Sequence, residues 1–243
     1  MISAIIQARV SSTRLPNKVF ADIKGKPLLW HVVDRLKKSI YLDNIIIATT
    51  DNIADDLIQD WASENKISCF RGSESNVLKR YYDTAKKNNS TTIVRITADD
   101  PFKDYKIMDN VINEFISQRV DFACNNFPPT YPEGLDVEVF SFSALKTAYE
   151  NSFSDFEKEH VTQYFYKNTN DFKIVSIKND TNLSNLRWTI DTQEDLEMTR
   201  KIYNKFTNNK SIYLMKDILK ILIENPEILE INKKVGRSKM YKS

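Results

Sequence analysis

The chain has 243 residues, with 35 lysines and arginines against 33 aspartates and glutamates, and its formal net charge is +2. This balance excludes the sustained positive surface that duplex nucleic acid requires. No apolar run approaches the ~20 residues of a membrane span, so we expect no membrane partner either. The length suits one large α/β domain or two small ones, and we expect one domain with its own core.

The N-terminal residues and the two cysteines predict a compartment. Residues 1–6 carry no basic leader, and we therefore expect no signal peptide. Cys69 and Cys124 each lie in an apolar, strand-like context, which favours two reduced core thiols over a disulfide. We expect a cytoplasmic protein.

Short runs rich in isoleucine and valine occur three times in the first hundred residues. Those at 4–6, 45–48 and 93–96 predict strands that are covered on both faces. The run at 67–70 predicts an additional strand.

Apolar stripes with helical spacing lie between these strands. Pro27 opens the first stripe, Asn52 and Asn76 precede the next two as N-caps, and another stripe covers 107–116. Because strands and helices alternate, we predict a Rossmann-like α/β fold with a doubly wound, mostly parallel sheet.

The pattern is less regular in the second half of the chain. Residues 125–134 form a loop rich in helix and strand breakers, and 135–140 alternate like a strand. Residues 183–189 predict a late strand, and Thr192 begins a helix. The basic tail, residues 233–243, is interpreted as a solvated end rather than a binding arm.

Cationic and hydroxyl side chains follow the first strand, at an edge where doubly wound sheets bind ligands. They are Arg9, Ser11, Ser12, Thr13, Arg14 and Lys18. Such a set can bind several oxygens of a polyphosphate, with Arg14 and Lys18 as its main ligands. The alternative is a solvated basic loop. Neither the GxxxxGK[ST] nor the GxGxxG motif is present.

Aspartates follow two other predicted strands. Asp99 and Asp100 come directly after 93–96, and Asp191 follows the apolar run that ends at Ile190. Carboxylates at such positions can hold Mg²⁺, which uses one or two of them together with phosphate oxygens; a helix cap is the alternative for the Asp-Pro corner. Together with the basic loop, they indicate metal-assisted phosphoryl or nucleotidyl transfer.

The sequence resembles the cytidylyltransferases that activate acidic sugars, of the 3-deoxy-manno-octulosonate and acylneuraminate type. Within them it is similar to the branch typified by the spore-coat polysaccharide biosynthesis protein F. The resemblance spans roughly residues 2–200 and rests on ordered blocks at 6–9, 14–18, 25–29, 48–51, 70–73, 95–99, 131–138 and 190–192.

The resemblance implies a nucleotide-diphospho-sugar transferase (GT-A-like) fold, with one nucleotidyltransferase domain over 1–232 and an irregular insertion for dimerisation and acceptor binding. It also implies a homodimer that uses CTP, Mg²⁺ and an acidic sugar-like acceptor. The family's usual glycine before the lysine is Asn17 here.

The resemblance further assigns roles to individual residues. It implies that Arg14, Lys18 and Asp99 are catalytic and that Asp99 and Asp191 hold Mg²⁺. The implied nucleotide-binding residues are Gln7, Ala8, Arg9, Ser11, Ser12, Arg14, Lys18, Thr50, Asp51, Arg71, Ser73, Thr97 and Ala98. The implied acceptor-binding residues are Asn125, Tyr131, Gly134, Asp136, Glu138 and His160.

The two histidines invite different interpretations. His160 lies among charges and is either catalytic or a surface helix residue. His31 lies within the apolar stripe of its helix, so we expect it to be packed and hydrogen-bonded.

Two alternative functions remain open at this point. A glycosyltransferase would usually carry Asp-x-Asp after a strand, whereas this chain has Asp99-Asp100-Pro101. A non-catalytic nucleotide-binding protein would have the same cations and aspartates without turnover.

Overall fold

The computed structural model describes residues 1–207 and 212–236. Its central strand, β1 (Ile2–Gln7), pairs in parallel with β4 (Asn44–Thr50) on one side and β6 (Thr92–Thr97) on the other. The strand β5 (Ser68–Gly72) extends the sheet beyond β4, also in parallel. This half of the sheet confirms the predicted parallel arrangement.

The other half of the sheet mixes strand directions. The strand β8 (Glu138–Ser141) is antiparallel to both β6 and β7 (Phe122–Cys124), and β9 (Ile174–Ser176) is parallel to β7. The sheet order among the described residues is therefore β5-β4-β1-β6-β8-β7-β9. A separate two-stranded ribbon joins β2 (Asp22–Ile23) to β3 (Lys26–Pro27).

Helices cover both faces of the sheet. They are α1 (Leu28–Leu36), α2 (Asp56–Glu64), α3 (Val77–Lys87), α4 (Tyr105–Gln118), α5 (Phe142–Asn151), α6 (Asp155–Glu159), α7 (Gln163–Lys167), α8 (Gln193–Asn204), α9 (Met215–Glu224) and α10 (Glu227–Glu230). Short 3₁₀ turns cover Lys18–Phe20 and Ile53–Asp55. Among the described residues, no helix has the length and apolar character needed to cross a membrane.

The predicted caps are largely confirmed. The Asn76 side chain accepts a hydrogen bond from Lys79 N at 2.8 Å and so begins α3. Asn52 instead caps the 3₁₀ turn by accepting from Ala54 N, and the α-helix begins only at Asp56. The predicted N-terminal proline, Pro27, directly precedes α1.

The predicted strand at 183–189 is wrong. This segment makes a single bridge, between Arg187 and Glu133, outside the sheet. Trp188 N donates to Glu133 O at 2.8 Å, and Glu133 N donates to Leu186 O at 2.9 Å. The backbone therefore finds its partners in the 125–134 loop, because the fully buried Trp188 packs against Phe102 rather than extending the sheet edge.

Both cysteines are free thiols, as predicted. Burial raises the pKa of Cys69 to about 11, so this thiol stays protonated. His31 is buried, with Nε2 2.8 Å from Ile23 O, which confirms its packed role. Most of the predicted basic tail, residues 237–243, lies outside the described residues.

Candidate active site

The ammonium group of Lys18 lies between two carboxylates that come from distant parts of the chain. Its Nζ is 2.8 Å from Asp99 Oδ2, 2.7 Å from Asp191 Oδ1 and 2.9 Å from Ile190 O. Asp99 follows β6 and Asp191 directly precedes the N-cap of α8, whereas Lys18 ends the loop after β1. The fold thus brings three predicted site residues to one point.

The loop after β1 has a backbone that fixes the position of Lys18. Asn17 adopts the left-handed conformation (φ 58°, ψ 22°), which asparagine tolerates better than most residues other than glycine. Its N–H donates to Val10 O at 3.1 Å, and Val10 N donates to the buried Asp55 Oδ1 at 2.7 Å. Asn17 therefore supports the turn that the family's usual glycine would support.

The charges of this cluster stabilise one another. Burial alone would raise the pKa of Asp99, but the charge and hydrogen bond of Lys18 outweigh it and hold that pKa well below its usual range. Burial would lower the pKa of Lys18, yet Asp99 and Asp191 raise it. At neutral pH, Lys18 is therefore cationic and Asp99 is ionised.

Asp100 has a different environment from Asp99. Its Oδ2 accepts from Lys103 Nζ at 2.9 Å and from the Thr97 hydroxyl at 2.7 Å. Burial raises its pKa, more than Lys103 lowers it. Asp100 is thus a buried structural partner of Lys103 rather than a ligand of the Lys18 cluster.

Two arginines hold the second oxygen of Asp191. Arg14 Nη2 and Arg187 Nη2 each lie 2.9 Å from Asp191 Oδ2. The Arg14 side chain is 54% exposed, whereas that of Arg187 is 6% exposed. Arg14 is therefore accessible to a ligand, and Arg187 supports the carboxylate from the protein side.

The oxygen set around Lys18 fits a hard divalent cation. Asp99 Oδ2, Asp191 Oδ1 and Ile190 O all surround the ammonium nitrogen of Lys18. This nitrogen occupies the position that a metal cation bound by the same three oxygens would take. Oxygen donors of this kind are those that Mg²⁺ prefers. No cluster of three or more metal-ligating side chains occurs at positions 1–207 and 212–236, so a cation here would depend on additional oxygens from a ligand or water.

A cleft of about 870 Å³ opens over this cluster. Most of the predicted site residues line it: Gln7, Ala8, Arg9, Ser12, Arg14, Lys18, Thr97, Ala98, Asp99, Gly134, Asp136, Glu138, His160 and Asp191. One cleft therefore contains residues predicted for the nucleotide, for the metal and for the acceptor.

Other predicted nucleotide residues do not line this cleft. Ser11 Oγ donates to Glu74, and the buried Thr50 hydroxyl donates to Asp55. Arg71 binds Asp56 and the carbonyl oxygens of Thr50 and Asn52. Two more predicted residues, with Arg71, line a separate open groove: Asp51 and Ser73.

Two predicted acceptor residues also lie away from the cleft. Asn125 is fully buried, and its side chain binds Leu135 O and Val137 N at 2.9 and 2.7 Å. Tyr131 is 7% exposed and belongs to the core. Both side chains belong to the internal packing of this part of the chain rather than to the cleft surface.

A buried hydrogen-bond network forms the floor at the β8 end of the cleft. Glu138 accepts from Arg95, from the Thr162 hydroxyl at 2.9 Å and from the Tyr166 hydroxyl at 2.6 Å. Burial alone would raise the pKa of Glu138, but Arg95 and these hydrogen bonds hold it below its usual range. His160 lies nearby in the cleft wall, where burial lowers its pKa and favours the neutral ring.

Several cleft residues are missing from the sequence-based set. Arg80 and Arg95 are buried arginines that line the cleft, and Lys158 lies on α6 beside His160. Arg187 supports Asp191 from beneath. Arg95 and Arg187 could have been noticed as single charges within apolar runs, whereas no local signal marks Arg80.

A family model for cytidylyltransferases matches residues 3–235. The chain is 36% identical over 244 residues to the uncharacterized protein MJ1063 of Methanocaldococcus jannaschii, covering 99% of this chain and 98% of that protein. It is 30% identical over 230 residues to the spore coat polysaccharide biosynthesis protein SpsF of Bacillus subtilis, covering 92% and 94%. It is also 31% identical over 124 residues to a 3-deoxy-manno-octulosonate cytidylyltransferase of Nitratidesulfovibrio vulgaris, covering 49% and 48%.

Solved structures show the same relationship. A cytidylyltransferase from Leptospira borgpetersenii superposes with a TM-score of 0.89 at 34% identity, covering 94% of this chain and 96% of that one. A CMP:2-keto-3-deoxy-manno-octonic acid synthetase complexed with CTP shares the fold, with a TM-score of 0.63 at 16% identity, covering 84% and 98%. From the family match over almost its whole length, together with these relatives, the chain belongs to the cytidylyltransferase family.

Proposed function

We propose that this protein transfers CMP from CTP to a hydroxyl of an acidic sugar or related small acceptor, with Mg²⁺, and releases pyrophosphate. The observation that carries the proposal is the position of Lys18 between Asp99 and Asp191, beside the accessible Arg14. This point combines cations for a polyphosphate with carboxylates for a divalent cation. It lies at the carboxyl ends of parallel strands, where such folds bind their ligands.

Arg14 and Lys18 are the residues that bind the triphosphate in this proposal. When the acceptor hydroxyl oxygen attacks the α-phosphorus, it gives up its proton to water and the bond from that phosphorus to the bridging oxygen breaks. Negative charge then accumulates on the departing pyrophosphate. Two preorganised cations stabilise this charge more than they stabilise the ground state. Lys18 reaches the phosphates by exchanging its two carboxylate partners for phosphate oxygens.

Asp99 and Asp191 would hold Mg²⁺ once Lys18 has moved to the phosphates. The ion would supply charge neutralisation at the α-phosphate and would orient it for in-line attack. In the nucleotide-free protein, Lys18 lowers the pKa of Asp99 and keeps its carboxylate ionised; the charge of Mg²⁺ would take over this effect when Lys18 leaves. Both carboxylates thus have a role in the nucleotide-free protein and another in the loaded one.

The nucleotide base would lie against Ala8 and its neighbours, and the acceptor against the β8 end of the cleft. Gly134, Asp136 and His160 line that end, and Lys158 contributes a cation that can bind an acceptor carboxylate. The name of the 3-deoxy-manno-octulosonate relative supports an acidic sugar, and that of SpsF supports surface polysaccharide biosynthesis.

We also propose that the protein acts in the cytoplasm and as a homodimer. Two free thiols support a reducing compartment. Exposed aromatic side chains in the irregular middle region support self-association, since Phe127 and Phe153 are 46% and 80% exposed.

Phosphorus NMR of the purified protein with CTP, Mg²⁺ and a panel of acidic sugars tests the function. The proposal predicts pyrophosphate and one new CMP ester, and a weaker reaction with ATP, GTP or UTP. Release of a nucleoside diphosphate from a sugar nucleotide would instead indicate a glycosyltransferase. CTP binding without turnover of any acceptor would indicate a nucleotide-binding protein.

A further inference from the structure

Arg187 joins three carboxylates beneath the cleft. Its Nη1 lies 2.9 Å from Glu133 Oε2, its Nη2 lies 2.9 Å from Asp191 Oδ2, and its Nε lies 3.0 Å from Asp195 Oδ1. The Arg187 side chain is 6% exposed. Nε and Nη2 of this buried guanidinium group hydrogen-bond to Asp195 and Asp191, whereas Nη1 meets Glu133 as an ion pair without a hydrogen bond. The planar hydrogen bonds to two carboxylates favour one orientation of the group.

Asp195 fixes the orientation of the guanidinium group. It is fully buried and binds Arg187 through both oxygens, at 3.0 and 3.1 Å. Asn232 donates to Asp195 Oδ1 at 2.9 Å and to Arg187 O at 3.1 Å. Asp195 also accepts from Asp191 N at 3.0 Å, so that it orders the backbone as well as the side chain.

The two oxygens of the Asp191 carboxylate therefore have different partners. Its Oδ2 is held by Arg187, and its Oδ1 points to the position of the Lys18 ammonium group, 2.7 Å away. Rotation of the carboxylate would cost the Arg187 contact. Arg14 also contacts Oδ2 but is 54% exposed, so the buried Arg187 is the partner that fixes the carboxylate plane with one oxygen toward the cation position.

The third carboxylate, Glu133, connects the 125–134 loop to Arg187. Glu133 precedes Gly134, whose φ is +104°. A Cβ at Gly134 would lie 2.9 Å from both Thr189 N and Trp188 C, so the loop packs directly on the segment that leads to Asp191. Arg187 is the side chain shared by the loop, Asp191 and the first turn of α8.

We propose that Arg187 is a positioning residue: it orients Asp191 toward the cation position and so sets the part of CTP affinity that depends on the divalent cation. The inference rests on the proposed function, because it takes Asp191 as a cation ligand. Partners that orient a ligand typically change metal affinity by about 10- to 100-fold when they are removed.

Calorimetric titration of CTP into the protein, in EDTA and in saturating Mg²⁺, measures this part directly. The quantity compared is the dissociation constant in EDTA divided by the dissociation constant in Mg²⁺, called the Mg²⁺ ratio below. In Arg187→Lys, which keeps the charge but loses the fork, we expect the ratio to fall by at least ~10-fold. The affinity for CTP in EDTA should change by less than about threefold, since Arg187 does not line the cleft. A role in stability alone would leave the ratio unchanged.

Arg35→Lys is the matched control. Arg35 is also a buried arginine, but it donates to the carbonyl oxygens of Lys103 and Tyr213, away from the cleft. We expect Arg35→Lys to lower the free energy of unfolding while leaving the Mg²⁺ ratio as in the wild type. Asp195→Asn is a second test that leaves Arg187 in place and weakens its anchor, together with the backbone contact from Asp191 N; it should lower the ratio by at least about threefold.

The outcomes distinguish a failure of the proposed Mg²⁺ use from a failure of the role assigned to Arg187. A wild-type ratio close to one would contradict the proposed use of Mg²⁺, and the inference with it. A wild-type ratio well above one that survives in folded Arg187→Lys would overturn the inference alone. If Arg187→Lys does not fold, an undiminished ratio in Asp195→Asn overturns it instead.

Discussion

Lys18 Nζ and Asp191 Oδ1 lie 2.7 Å apart, although 173 positions separate the two residues in the chain. This contact joins the loop after the first strand to the segment before α8. It places the ammonium group that would bind the nucleotide phosphates beside the carboxylate that would bind the divalent cation. Exchange of partners at this contact is the step that several predictions address.

The first prediction concerns the two proposed cation ligands. Asp99→Asn and Asp191→Asn should each lower pyrophosphate release from CTP by at least ~100-fold, since each removes a preorganised charge from the reacting phosphate. Coupled pyrophosphatase assays measure the rate. The exposed Asp60 on α2 supplies the control, and Asp60→Asn should retain full activity. Near-normal turnover in both site variants would rule out the cation assignment.

The second prediction concerns Lys18 as a competitor for the cation position. Lys18→Met removes the ammonium group from Asp99 and Asp191, so Mn²⁺ should bind the nucleotide-free protein on the order of tenfold more tightly. The same variant should bind CTP more weakly, because it has lost a phosphate ligand. Electron paramagnetic resonance of free Mn²⁺ reports the first effect. Unchanged Mn²⁺ affinity would show that Lys18 does not occupy the cation position.

The third prediction concerns Gly134, in the 125–134 loop. Gly134→Ala should lower stability by ~1–3 kcal/mol and impair acceptor use, because the new Cβ meets backbone atoms at 2.9 Å and φ is positive. Two glycines provide matched controls. Gly25→Ala adds strain at φ +80° without a contact, and Gly236→Ala adds neither. If Gly25→Ala and Gly134→Ala impair acceptor use equally, the close approach to Trp188 has no special role.

The fourth prediction follows from the buried pair of Arg95 and Glu138. Because the folded protein holds the pKa of Glu138 below its unfolded value of about 4.3, the pair stabilises the fold above that pH. The contribution is lost as the pH falls through the folded pKa. Glu138→Gln should therefore cost ~3–5 kcal/mol at pH 7, by leaving Arg95 buried without its carboxylate.

Urea unfolding of wild type and Glu138→Gln between pH 3 and pH 7 measures this difference. We expect the two free energies of unfolding to converge toward the acid end of the range. Lys79→Met, which breaks an exposed pair with Asp83, should show little difference at any pH. A gap for Glu138→Gln that stayed constant with pH would contradict the assigned charge of Glu138.

Much of the fold could be predicted from the sequence because its parallel half is built of continuous apolar runs. The strands around Ile6, Ala48 and Ile96 are buried on both faces, which leaves a clear pattern. The segment ending at Ile190 also carries apolar residues and is buried over 187–190, but its backbone pairs with the 125–134 loop. Apolar character predicted its burial correctly and its strand geometry wrongly.

The site was predictable where polar residues follow a strand and have no local partner. Arg14, Lys18 and Asp99 meet this condition, and the cleft contains all three. Thr50 does not, because Asp55 lies only five residues later and accepts the hydrogen bond of its hydroxyl group. Arg187 is marked locally as a single charge within an apolar run, but its role was missed because Glu133 and Asp195 become its neighbours only through the tertiary fold.

The most direct test of the account is a phosphorus NMR time course with CTP, Mg²⁺ and the acceptor found by screening, run on wild type and Asp191→Asn. The account predicts equal amounts of pyrophosphate and CMP ester from the wild type, and at least ~100-fold slower formation of both in the variant. Wild-type release of a nucleoside diphosphate, or ester formation that Asp191→Asn leaves unchanged, would contradict it.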